Sequence, residues 1–115
     1  MNHMTEYLKH VVLQEHLIDS SAYIALFNEN TEVNQASYQR ILATFATPAN
    51  GQTSNNADVL FPIAQENWGN VTHIGIFDTP TNGNLLFKSQ AEFVKNIDIS
   101  SQYKIPKNYL IVRLK

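Results

Sequence analysis

The chain has 115 residues, no cysteine and a formal net charge of −2, with 43% hydrophobic and only 16% charged residues. That length can bury one modest core, and the missing cysteines exclude disulfide staples and Cys-ligated zinc. No run of Lys or Arg points to nucleic acid, and no apolar run nears the roughly 20 residues of a membrane helix. No basic stretch followed by an apolar one opens the sequence, so no secretory leader is expected. Asn, Gln, Ser and Thr fill the polar positions. Such a surface suits packing against other proteins or copies of itself, and equally suits a solvated neutral exterior.

Met1 to Asp19 is predicted as a helix, with Thr5 as its N-cap. Met4, Tyr7, Leu8, Val11 and Ile18 form its main apolar face. Leu13 and Leu17 project from nearly the opposite side, one turn apart. Two apolar surfaces need two partners, or a small domain that wraps the helix. Leu13, Leu17, Tyr7 and Val12 are therefore the candidates for joining a neighbouring subunit.

Strands follow. Ala22–Phe27 alternates, with Tyr23, Ala25 and Phe27 on one face and Ile24 and Leu26 on the other. A polar loop over 28–37 leads to a strand over 38–45, and 47–56 reads as a loop rich in Pro, Asn, Gly and Ser. A short strand over 57–61 is stopped by Pro62, which cannot donate to a ladder. Val71–Phe77 is apolar on both faces, so it belongs in the middle of the domain. Ile74 and Ile76 point one way; Val71, Gly75 and Phe77 point the other. Asn82-Gly83 then marks a turn, because both residues tolerate positive φ, and Leu85-Leu86-Phe87 returns as the partner strand. Separate strands are predicted within 91–99 and 109–114, with a turn containing Pro106 between them. Short strands divided by Pro, Gly and Asn predict a mainly β fold, an antiparallel β-sandwich with one N-terminal α-helix. The expected organisation is a helix over 1–20 for assembly or anchoring and a sandwich domain over 21–115.

The chemistry-bearing residues form no catalytic constellation. His10 and His16 are six residues apart on a helix and share no face, so they make no metal pair. His73 lies in the central strand, where a satisfied structural histidine is the commoner role than a general base. Asp78, Asn82 and Asn84 could offer oxygen ligands, but they are also ordinary turn residues. No catalytic residue, metal site or cofactor is expected. Trp68 and Tyr109 are candidate ligand-facing aromatics, which could stack on a sugar; a Trp beside a strand is also a common core plug.

The stretch Trp68-Gly69-Asn70-Val71-Thr72-His73-Ile74-Gly75-Ile76-Phe77-Asp78, with Gly83-Asn84-Leu85-Leu86 after it, resembles the WGxVTHxGIFD…GGNLL signature of small phage tail-fibre-like structural proteins. Tyr23-Ile24-Ala25-Leu26-Phe27, Tyr38-Gln39-Arg40 and the segment from Asn55 to Pro62 resemble further parts of that family, so the likeness covers nearly the whole chain. The loop over 28–37 is shorter than in many relatives, and Lys107-Asn108 stands where they often have Ala-Gly. The resemblance implies a non-enzymatic virion component of a tail, tail fibre or neck, assembled in the host cytoplasm. It would pack with copies of itself, as a homo-oligomer, and with other phage tail or neck proteins, with no nucleic acid or membrane partner. The alternatives are a receptor- or carbohydrate-binding module of the tail, or a small inhibitor of a host protein.

Overall fold

The computed structural model describes residues 4–114; the first residues of the expected helix, 1–3, lie outside that range. The chain is mainly β, with antiparallel sheets and an N-terminal helix. Helix α1 spans Glu6–Leu13 and continues as a single wider, π-helical stretch over Gln14–Asp19. Thr5 caps it as its side chain predicts: the hydroxyl accepts from the Leu8 N–H at 3.2 Å.

Strand β1 (Ala22–Asn28) lies at the centre of the main sheet. One edge pairs with β6 (Gly69–Phe77), and β6 pairs in turn with β7 (Leu85–Ile97). The other edge of β1 is shared by two short strands, β2 (Thr31–Glu32) and β3 (Ile41–Ala43). The 38–45 segment is thus a strand only in its middle. Two small ribbons complete the fold: β4 (Gln52–Ser54) with β9 (Ile111–Arg113), and β5 (Val59–Leu60) with β8 (Lys104–Ile105). The segment expected to be a loop over 47–56 therefore contains a strand. Ala49 and Gln52 exchange backbone hydrogen bonds across Asn50-Gly51, whose φ angles of 54° and 74° are those a two-residue hairpin turn requires.

Register explains the core. Ile24 faces Ile76 and Leu26 faces Ile74 on the inner side of the β1–β6 pair. Phe61, Trp68, Val71, Ile97 and Val112 join them in one buried cluster. The opposite face carries Ala25 against Gly75 and Phe27 against His73. It is roofed by the stacked rings of Phe27 and Phe77, with the Arg40 guanidinium 3.5 Å from the Phe77 ring centre and the Lys88 ammonium 4.5 Å from that of Phe27. The central strand is covered on both sides, as its composition requires.

Two expectations are corrected. Val71 does not oppose Ile74 and Ile76 but shares their core. Between Val71 and His73 the register slips: His73 faces Gln90 while Val71 faces Lys95. Such a bulge breaks the two-residue alternation and turns Val71 inward. Secondly, Leu13 and Leu17 do not await another subunit. They are 0% and 2% exposed within the same core as the strands. Tyr7 and Leu8, from the face with more apolar residues, stay exposed. Among the described helix residues the two leucines are the buried ones, while Val11 and Val12 are half-buried.

Asn55 holds the ribbons together. It is fully buried, its amide donates to the Ala57 and Pro106 carbonyls at 2.9 and 3.0 Å, and its side-chain oxygen accepts from the Leu110 N–H at 2.9 Å. Every hydrogen-bonding group of that side chain is used, which is what its burial demands.

The burial of the helix leucines makes a direct prediction. Leu13→Ala should destabilise the chain by about 2–5 kcal/mol in urea unfolding, as a buried leucine leaving a cavity does. A change near zero, with assembly altered instead, would show that Leu13 serves a partner and not the core.

Candidate interaction surface

The β6–β7 hairpin and its supports come first. Its tip, 78–84, contains the Asn82-Gly83 pair, both at positive φ. Asp78 clamps the tip: its carboxylate accepts from the Asn84 backbone N–H at 2.8 Å and the Asn84 side-chain amide at 3.0 Å. Those bonds hold the Asp78 carboxyl below its ordinary pKa. The carboxylate is thus engaged in closing the turn. Among the described residues, no group of three or more His, Cys, Asp or Glu is placed to hold a metal ion.

Arg40 ties this tip to the sheet. It donates to the Thr79 and Asn82 carbonyls at 3.0 and 2.8 Å, and to both carboxylate oxygens of Glu32 at 2.9 Å. Tyr38 donates its hydroxyl to Glu32 at 2.7 Å and accepts from the Leu26 N–H at 3.1 Å. Burial alone would raise the Glu32 pKa, but the hydrogen bonds from Arg40 and Tyr38 and the guanidinium charge outweigh it and leave the carboxyl lowered. Tyr38 is pushed up by its own burial and by the Glu32 carboxylate it donates to.

The aromatic candidates separate. Trp68 is 3% exposed, meets Tyr38 edge-on at 5.5 Å and donates its indole N–H to the Ser37 hydroxyl at 3.0 Å. It is a core plug, and the expectation that it faces a ligand is corrected. Tyr109 is 69% exposed and stands at the rim of a cleft of about 540 Å³. The cleft lies between β7 and the 103–111 segment, and Phe93 stands at its other side, 76% exposed. Of the helix candidates, Tyr7 is exposed and Val12 half-buried. His73 contacts the Thr72 hydroxyl through Nδ1 at 2.8 Å and lies half-buried on the outer face of the sheet.

Strand β7 is the surface that sequence reasoning missed. It runs as one strand of 13 residues, where two separate strands were expected, with bulges at Leu86 and between Gln90 and Lys95, and it forms the edge of the main sheet. Its inner edge pairs with β6; among the described residues no strand pairs with its outer edge. Leu85, Phe93 and Val94 are exposed along it. The signal was present: no Gly, Pro or Asn separates Phe87 from Lys95, so nothing there ends a strand. No helix of the described residues is long and apolar enough to cross a membrane.

Together these features define a class: a small β-rich unit with a docked N-terminal helix, whose most distinctive surface is a long free sheet edge beside an apolar cleft. Residues 4–113 match the model of the family described as "Podophage GP4 fiber I protein gp80", and the chain belongs to that family. Among curated proteins, none matches the chain.

The Glu32–Arg40 bond carries a pH dependence of known sign. A carboxyl whose folded pKa is lowered stabilises the fold fully above its unfolded value, near 4.5, and loses that contribution as pH falls through the folded value. Glu32→Gln should therefore cost about 1–3 kcal/mol at pH 7, and the gap to the parent should narrow below about pH 4. Urea unfolding at both pH values measures it, and an equal gap at both would refute the assignment.

Proposed function

We propose that this chain is a non-enzymatic structural subunit of a podophage fibre or tail assembly, built into the virion after synthesis in the host cytoplasm. The observation that carries the reading is the family match over 4–113, which takes in the helix, the main sheet and both ribbons. The polar networks support it. Glu32, Arg40, Tyr38 and Asn55 spend their hydrogen bonds on fixing strands and turns to one another. Such a domain is a rigid body, suited to being one part of a larger array. Its partners on this reading are copies of itself and neighbouring tail, fibre or neck proteins. The exposed apolar side chains of β7, with Tyr7 on the helix, are the contacts available to them.

A carbohydrate-binding role is the second reading, and one observation favours it. Tyr109 and Phe93 flank the cleft as exposed rings, with the polar side chains of Gln90, Glu92 and Lys104 among its walls. With Trp68 buried, that pair is the aromatic platform left to such a role.

Mass spectrometry of gradient-purified virions from the phage that carries the chain tests the first reading. The chain should co-sediment with the particle in several copies per virion. Abundance in the infected lysate with none in the particle would refute it.

A further inference from the structure

We propose that Asn82 is a site of spontaneous deamidation gated by Arg40, and that Asn50, in the same Asn-Gly dipeptide, is held inert by the fold. The inference goes beyond the structural-subunit reading and does not depend on it. The sequence holds two Asn-Gly pairs, Asn50-Gly51 and Asn82-Gly83. Asparagine is among the least durable side chains, and a following glycine, with no Cβ, leaves its own backbone nitrogen open to approach.

The reaction needs only water. The Gly83 nitrogen attacks the side-chain carbonyl carbon of Asn82. A C–N bond forms, and the side-chain nitrogen leaves as ammonia, taking up the Gly83 proton. Water then opens the resulting cyclic imide at either carbonyl. One opening gives aspartate. The other gives isoaspartate, in which the main chain runs through the former side-chain carbon.

The surroundings of the two pairs differ. At Asn50-Gly51, Ala49 and Gln52 exchange both backbone hydrogen bonds, and the Gly51 carbonyl accepts from the Leu114 N–H at 2.8 Å. Gly51 is buried, with the Lys9 side chain against it. Rearranging that backbone means opening the adjoining β4–β9 ribbon. Asn82 and Gly83 are both exposed at the hairpin tip. Among the described residues no hydrogen bond engages the Gly83 N–H or the Asn82 side-chain amide.

What restrains the tip is a latch at its main chain. Arg40 donates to the Thr79 and Asn82 carbonyls, and the Asp78 carboxylate accepts from the Asn84 N–H. The dipeptide is required there, since a Cβ on Gly83 would collide with the Thr79 side chain. The fold thus keeps a reactive pair and restrains it with a few polar bonds. Breaking them is a local opening that leaves the sheet intact. Isoaspartate adds a methylene to the main chain and displaces the carbonyl that Arg40 holds, so the release is one-way.

Peptide mapping by tandem mass spectrometry, during incubation of the folded chain at mildly alkaline pH, tests this. Asn82 should convert to a mixture of aspartate and isoaspartate while Asn50 stays intact. In urea, where the fold no longer separates them, the two pairs should convert at similar rates. R40K keeps a cation beside Glu32 but loses the fork that holds two tip carbonyls. D78N weakens the acceptor for Asn84. Each variant should speed conversion of Asn82 about tenfold, because the opening no longer breaks a full set of charge-assisted bonds. Asn50 serves as the internal control, and its rate should not change. Asn50 converting as fast as Asn82 in the folded chain, or a difference that persists in urea, would overturn the proposal. So would variants that leave the Asn82 rate unchanged, or that speed both sites together.

Discussion

The pairing of β1 with β6 is the constraint on which the other elements depend. Ile24 against Ile76 and Leu26 against Ile74 form the floor of the core. The helix leucines and the C-terminal ribbons pack onto that floor. On the far side Gly75 allows close approach: a Cβ there would come within 2.7 Å of the Phe27 ring and 2.9 Å of Leu85. Any larger residue would force the roof of the sheet away from its own strands. A single pair of strands thus has a packed layer on one face and its own long side chains on the other. This is how a chain of modest length covers a strand on both sides without a second full sheet.

Few charges are available, and the fold places two of them where loops must be fixed. Arg40 reaches one acidic partner and two carbonyls of the hairpin tip, with its own side chain only 8% exposed. Asn55 does the equivalent for the ribbons without any charge. Asn55 uses both amide donors and its oxygen, and Arg40 uses four of its five N–H donors. The cost of breaking such a group exceeds what its bonds contribute on average, so each makes one loop geometry far better than its alternatives. Strand pairing defines the middle of the molecule, and these two side chains define its ends.

Much of this was legible in the residues. The alternation in Ala22–Phe27, the two-sided apolar run before Asp78, the Asn82-Gly83 turn and the Thr5 cap all rest on local rules, and all appear. Three features were not legible. Leu13 and Leu17 sit on the less apolar side of the helix, and counting residues on a face does not measure which side reaches the sheet. Strict alternation puts Val71 on the face opposite Ile74 and Ile76, because a bulge leaves no mark in the two-residue period it interrupts. Asn55 stands in an Asn-rich loop and looks like any turn residue; only the fold brings Pro106 and Leu110 to it. For the surface, Tyr109, an aromatic expected near a strand end, is exposed just before β9, while Trp68 is buried, since the same kind of position suits a platform and a plug. The free edge of β7 depends on which strands pair beyond it, and that is a property of topology, which no local pattern carries.

The chain belongs to the podophage fibre family over residues 4–113, a span that takes in the helix, the main sheet and both ribbons. The central physical claim is that helix, sheet and ribbons share one core built on the β1–β6 pair. Native-state amide hydrogen exchange addresses it directly. The amides of β1 and β6 that bond each other should exchange slowest, and those around Leu13 and Leu17 should open only with the same global unfolding. Exchange of the helix through a separate, low-energy opening, with β1 and β6 still protected, would contradict the claim and make the helix an appendage.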